Sequence, residues 1–119
     1  GSYFNNTYLE GHPVFVRQDA EVRFNWYGGS PGEGIGNDHF SVRWERKVYF
    51  ETGHYRFLAT SDDGVRVYVD GIKVIDGWNV HPTTDYAQDV YIHGGHHTVV
   101  VEYFEESGDA NIYVRWGRR

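Results

Sequence analysis

The chain has 119 residues and a mass of 13.8 kDa, which suits one packed domain and excludes two. Its 11 Lys and Arg residues against 17 Asp and Glu give a net charge of -6, which disfavours nucleic acid and anionic membrane surfaces as partners. No apolar stretch approaches the about 18 residues of a membrane-spanning helix, so we expect no membrane insertion.

The apolar residues are those that favour β-strands. There are 15 Val and 21 aromatic residues but only 2 Leu, and neither Met nor Cys occurs. β-branched and aromatic side chains suit a pleated sheet, whereas Leu, Ala and Met favour helices. The absence of Cys also rules out disulfides, a zinc-thiolate site and a thiol nucleophile.

Runs of alternating apolar and polar residues predict the strands in chain order. Their apolar positions are Val22, Phe24 and Trp26; Phe40, Val42 and Trp44; Tyr55, Phe57 and Ala59; Val65, Val67 and Val69; Val99, Val101 and Tyr103; and Ile112, Val114 and Trp116. Turn signals recur every 8–12 residues or so, which is typical of a β-sandwich. We therefore predict an all-β fold, a two-sheet antiparallel β-sandwich in a single domain.

Glycine-containing pairs mark the tight connections. Asp70-Gly71 and Gly94-Gly95 each predict a hairpin. The tripeptide Asp62-Asp63-Gly64 predicts a turn between strands at 54–60 and 65–70.

Asp62 and Asp63 place two carboxylates next to each other. At about 5 Å they repel by roughly 3 kcal/mol at an effective dielectric near 20, a cost that a single Asp in a turn avoids. A divalent cation would turn this repulsion into coordination, and hard oxygen ligands suit Ca²⁺. The alternative is an ordinary turn with one capping and one solvated Asp.

A second acidic segment, residues 105–111, joins the last two predicted strands. Glu105, Asp109 and Asn111 could complete a calcium shell begun by Asp62 and Asp63 if the fold brings the two segments together. The alternative is an acidic, solvated hairpin, and the residues alone do not decide between these interpretations.

A predicted loop places Trp78 beside Asn79 and His81. Sugar sites combine an aromatic face with polar groups that meet hydroxyls, so these three residues are candidate ligand contacts. Trp78 could instead close one end of the sandwich.

Catalysis is not expected. The two carboxyls of a glycosidase flank the scissile bond from separate elements, which neighbouring residues of one turn cannot do. The pair His96-His97 resembles a transition-metal site, but strand alternation directs the two rings to opposite faces. We therefore predict no catalytic residues.

Several blocks in order closely resemble the anthrax protective-antigen domain family. They include Tyr3-Phe4-Asn5-Asn6, Gly36-Asn37-Asp38-His39-Phe40, Ser61-Asp62-Asp63-Gly64-Val65, Val69-Asp70-Gly71 and Asp76-Gly77-Trp78. The match runs from Tyr3 to Trp116.

The resemblance implies a β-sandwich module spliced into bacterial toxins, adhesins, glycosidases and yeast flocculins. In members that bind sugars, a cis-linked Asp-Asp pair holds calcium; this pair corresponds to Asp62 and Asp63. A second calcium loop of those lectins corresponds to residues 105–111, which here are Glu-rich and lack the lectins' Trp.

We therefore expect a calcium-dependent carbohydrate-binding module, monomeric within a larger secreted or cell-surface protein. The alternative is a structural spacer or protein-interaction module without a sugar ligand. We interpret residues 1–2 as a cloning scar, 3–117 as the domain and 118–119 as a tail.

Overall fold

The computed structural model describes residues 1–19, 21–32 and 34–118. Within these ranges the ordered elements are ten β-strands. They are β1 (Ser2–Phe4), β2 (Phe15–Val16), β3 (Arg23–Tyr27), β4 (Phe40–Phe50), β5 (Gly53–Asp62), β6 (Gly64–Val69), β7 (Ile72–Gly77), β8 (Thr84–Ile92), β9 (Gly95–Glu105) and β10 (Ala110–Arg118). These residues contain no helix that is long and apolar enough to cross a membrane.

The strands form two antiparallel sheets packed face to face. One has six strands in the order β2-β1-β4-β9-β6-β7, and the other has four in the order β3-β10-β5-β8. The predicted two-sheet β-sandwich is confirmed. The predicted apolar positions face the interior, and the largest of the fully buried apolar side chains are Tyr3, Tyr103, Phe40, Phe57 and Ile112.

Both ends of the predicted domain lie in paired strands. Ser2 pairs with Val16 and with Arg43, although residues 1–2 were interpreted as a scar. Arg118 pairs with Tyr55, so the first residue of the predicted tail belongs to β10. Arg119 lies outside the described residues.

The predicted turns divide into one hairpin and three crossovers between the sheets. Asp70-Gly71 joins two paired strands, β6 and β7, as predicted, and both residues have positive φ. The prediction of a hairpin at Gly94-Gly95 was wrong, because β8 and β9 belong to different sheets. Asp62-Asp63-Gly64 and the segment after Glu105 likewise pass from one sheet to the other.

These last two crossovers lie side by side at the same end of the sandwich. Strand pairing joins them at both ends. Gly64 of β6 lies opposite Phe104 of β9, and Asp62 of β5 lies opposite Asn111 of β10. The register of the two sheets therefore brings the Asp-Asp pair next to Glu105, although more than forty positions separate them along the chain.

Position 64 requires glycine because there is no space for a side chain. A Cβ there would lie 2.0 Å from the Phe104 ring, which is itself buried beneath Trp78 at a centroid distance of 4.7 Å. The third residue of Asp62-Asp63-Gly64 thus lets the crossover lie directly against β9.

We predict that Gly64→Ala lowers the free energy of unfolding by about 1–3 kcal/mol, since the added methyl group must displace a packed ring. Denaturant unfolding of both proteins measures the difference. Gly117→Ala is the matched control, because a Cβ at that strand position meets nothing within 4 Å. Equal losses in the two variants would contradict the steric explanation.

Candidate metal and ligand site

Three carboxylates meet where the two crossovers run together. Asp62, Asp63 and Glu105 each present an oxygen atom, and these atoms lie within 4.8 Å of one another. They form the one group of three or more potential metal ligands among the described residues. The fold thus brings Glu105 next to Asp62 and Asp63, which is the condition on which the proposed calcium shell depended.

The Asp62–Asp63 peptide bond is cis. This is the configuration that the family resemblance implies for an Asp-Asp pair that binds calcium. The Asp62 side chain is partly exposed, whereas Asp63 is only 2% exposed, so the pair has one solvent-facing and one buried member.

Main-chain amides fix the buried carboxylate of Asp63. The N–H of Glu106 donates to Oδ2 at 2.8 Å, and the N–H of His81 donates to Oδ1 at 3.3 Å. The Ser61 hydroxyl donates to the Asp63 carbonyl at 2.9 Å. These bonds replace the water that burial removes, and they fasten the first crossover to the second and to the loop before β8.

Glu105 is the most unusual group of the site. Its side chain is fully buried at the end of β9, and its Oε1 atom has no hydrogen-bond partner. Oε2 accepts a long hydrogen bond of 3.5 Å from the Tyr103 hydroxyl. Burial of an ionised carboxylate with so little compensation is costly, so this environment favours either protonation or a bound cation.

Burial and charge repulsion raise the pKa values of Glu105 and Asp62. Burial, followed by the charge of Asp63, raises the pKa of Glu105 to about 9. Burial, a hydrogen bond that protonated Asp62 donates to Asp63, and the charge of Asp63 raise the pKa of Asp62 to about 6. Asp38 acts on Glu105 and Asp109 on Asp62 in the same direction, so five carboxylates contribute to one field.

Tyr103 supports the site from the core. Its hydroxyl donates to the main-chain carbonyl of Asp62, and the ring packs against Phe40 at a centroid distance of 6.1 Å. Burial and the surrounding carboxylates raise the pKa of this phenol, which keeps it a donor. The position of the first crossover is therefore coupled directly to core packing.

The remaining predicted metal ligands lie at the margin. Asn111 is directly opposite Asp62, and its side-chain amide donates to Thr83 Oγ1 at 3.1 Å. Asp109 is exposed in the loop between β9 and β10, outside the three-carboxylate group. Its charge nevertheless reaches Asp62.

The predicted sugar contacts have mainly packing roles in this structure. The Arg66 guanidinium lies 3.6 Å above the Trp78 ring, and Phe104 meets the same indole at an angle of 65°. Asn79 is exposed. The imidazole of His81 bonds to Pro82 O and Tyr86 OH, so the part of this residue that contacts Asp63 is its main chain.

The sequence did not reveal several of the groups that hold the site. The amides of His81 and Glu106 are main-chain donors, which carry no side-chain signature. Tyr103 was predicted only as a core residue of its strand. The sequence did contain one signal that Tyr103 lies near the site. Tyr103 is two residues before Glu105, and strand alternation puts both side chains on the same face of the sheet.

Oxygen donors, negative charge and a buried orphan acceptor fit a hard divalent cation. Asp62, Asp63 and Glu105 supply carboxylate oxygens of the kind that Ca²⁺ prefers, and a cation would compensate the repulsion among them. The described residues offer no sulfur or clustered imidazole ligand here, which disfavours zinc or copper.

The raised pKa values predict how stability depends on pH without metal. Because Glu105 and Asp62 bind protons more tightly when folded, their contribution is fully present below about pH 4 and is lost as pH rises through 6 and then 9. In chelator, the unfolding free energy should therefore fall over this range.

Glu105→Gln should flatten this pH dependence above pH 6, and denaturant unfolding at several pH values measures it. Glu10→Gln, at an exposed position, is the control. An unchanged slope in Glu105→Gln would contradict the assignment.

Comparison with known proteins shows which proteins and which family this chain resembles. It is 36% identical over 123 residues to the anti-sigma-I factor RsgI3 of Acetivibrio thermocellus, which covers 100% of this chain and 19% of that protein. A solved anti-sigma factor domain-containing protein superposes with a TM-score of 0.92 at 33% identity, over 99% of this chain and 42% of the other. The chain thus spans less than half the length of these relatives.

A more distant structure, a PA14 sugar-binding domain from an RTX adhesin, has a TM-score of 0.72 at 18% identity and covers 82% of this chain and 67% of its own. At 18% identity, this structural similarity shows that the two proteins share a fold. The family model of the PA14 domain matches residues 1–119. With the two-sheet sandwich, this match establishes that the chain belongs to the PA14 domain family.

Proposed function

We propose that this domain binds carbohydrate through a calcium ion held by Asp62, Asp63 and Glu105. The observation that carries the proposal is the fully buried Glu105 carboxylate, whose Oε1 atom lacks a partner and whose neighbours are two more carboxylates within 4.8 Å. A structural role for Glu105 alone would favour an apolar or amide side chain at this position.

The three carboxylates have distinct roles in this proposal. Asp63, held by two main-chain amides, has a fixed orientation and gives the site its rigidity. Glu105 closes the inner side of the site. Asp62 is partly exposed and leaves the outer side open to solvent, where a ligand approaches.

Bound calcium would supply coordination positions for two neighbouring sugar hydroxyls. The carboxylate oxygens of Asp62 and Asp63 accept hydrogen bonds from hydroxyls in that arrangement. A sugar bound in this way would need no deep cavity. Its specificity would come from the groups that surround the open side of Asp62.

A second candidate function is a structural or protein-interaction module. Similarity to anti-sigma factors favours it, because the region that matches this chain is only 19% of RsgI3. A module of that size can serve to space or assemble the other parts of a longer protein. In both cases we propose a module of a larger chain, with the carbohydrate-binding alternative placing it outside the cell or on its surface.

We predict that calcium raises the stability of the metal-stripped protein. Extracellular calcium modules commonly have Kd values of about 10⁻⁴ to 10⁻³ M, and calcium at 100 times Kd would add about 2.7 kcal/mol to the free energy of unfolding. Thermal unfolding with calcium and with chelator measures this gain.

The variants Asp62→Ala with Asp63→Ala, and Glu105→Gln alone, should abolish the gain and retain the strand-rich far-UV circular dichroism spectrum. Glu10→Gln should keep the gain, since it removes one exposed carboxylate elsewhere. A gain that persists in Glu105→Gln would contradict the proposed ligand set.

A glycan array probed with calcium and with chelator separates the two candidate functions. The carbohydrate proposal predicts binding that chelator removes and calcium restores. Calcium-linked stabilisation without binding to any glycan would favour the structural module, with the ion as a stabilising element.

A further inference from the structure

A shallow groove lies on the four-stranded sheet, where it is lined by residues of β3, β5 and β10 and of the loop before β8. It has a volume of about 490 Å³, and its polar lining comes from Arg23, Asn25, Thr60, Thr83, Asn111 and Tyr113. We call it the Tyr113 groove. One of its lining residues, Asn111, is the strand partner of Asp62, so this end of the groove lies next to the carboxylate cluster.

The far wall of the groove is an arginine held against an aromatic ring. Thr60, Tyr113 and Arg23 lie in one row across β5, β10 and β3. The Arg23 guanidinium is 5.0 Å from the centre of the Tyr113 ring, and Arg115 approaches the same ring at 4.4 Å. The phenol ring thus orients a planar group with several N–H donors towards the groove.

Arg23 is exposed, and no carboxylate among the described residues pairs with it, whereas Arg17, Arg43, Arg56, Arg66 and Arg118 all form ion pairs. A chain with a net charge of -6 has many acidic groups available. An arginine that is fixed by a ring and has no acidic partner retains its donors for a ligand.

We propose that the Tyr113 groove is a second sugar subsite, which binds the next residue of a glycan whose first residue sits at the carboxylate cluster. This inference rests on the proposed function and deepens it: the ligand class becomes an oligosaccharide rather than a single terminal sugar. Thr60 lies two positions before Asp62, a step of about 7 Å along β5 that the next sugar of a chain can bridge.

The chemistry of the lining fits hydroxyl-rich rings. Arg23 would donate to two neighbouring oxygen atoms of one sugar. Thr83 and Asn111, which hydrogen-bond to each other, offer a hydroxyl group and an amide carbonyl at the end of the groove next to Asp62. Arg23 and Tyr113 are here specificity-determining residues. They have no part in holding the cation.

The experiment compares single sugars with their tetrasaccharides by calorimetric titration in saturating calcium. The probes are glucose and cellotetraose, xylose and xylotetraose, mannose and mannotetraose, and galacturonate and tetragalacturonate. We expect at least one tetrasaccharide to bind about tenfold or more tightly than its monosaccharide, the gain expected from a pair of charge-assisted hydrogen bonds.

Arg23→Ala, Arg23→Lys and Tyr113→Leu should remove this gain and leave the affinities for calcium and for the monosaccharide unchanged. Arg23→Lys keeps the charge but loses the planar pair of N–H donors. Loss of the affinity gain in this variant would therefore show that the planar donor geometry is required. Arg46→Ala is the matched control; Arg46 is exposed on β4 and does not line the groove.

Equal affinities for monosaccharide and tetrasaccharide in the unaltered protein, or a gain that survives Arg23→Ala, would overturn the second subsite and leave the proposed function intact. Loss of calcium affinity in Arg23→Ala would also overturn it, since Arg23 would then act through the ion site. If none of these sugars binds in a calcium-dependent manner, both proposals are overturned for this set of ligands.

Discussion

The electrostatics of this domain follow from one constraint, the pairing that holds two sheet-to-sheet crossovers side by side. Asn111 opposite Asp62 and Gly64 opposite Phe104 fix both crossovers at their ends. Glu105 is thereby buried next to Asp63, whose carboxylate is held in place by two main-chain amides. The repulsion between the two carboxylates is a consequence of the architecture, and the calcium ion that we propose at this site would relieve it.

The same constraint explains why supporting groups surround the site. The main-chain amides of His81 and Glu106 bind Asp63, and the Tyr103 hydroxyl binds the carbonyl of Asp62. These contacts link the loop before β8, the second crossover and the core to a single dipeptide. The position of the Asp62-Asp63 dipeptide is therefore tied to the packing of the sandwich.

Sequence reasoning predicted what depends on local pattern. Period-two runs predicted β3, β4, β5, β6, β9 and β10, and Asp70-Gly71 predicted its hairpin. The candidate ligands Asp62, Asp63 and Glu105 do lie close together. It missed what depends on strand order, because alternation cannot tell which sheet the next strand joins. Gly94-Gly95 was therefore taken for a hairpin, and the contacts of Trp78 with Arg66 and Phe104 could not be foreseen.

A crystal structure of the protein grown in calcium would show whether the three carboxylates hold an ion. We predict one calcium ion with an oxygen atom of each of Asp62, Asp63 and Glu105 at about 2.3–2.6 Å, identified by its anomalous signal. Calcium bound at other residues, or a well-ordered carboxylate cluster that holds only water at saturating calcium, would contradict it.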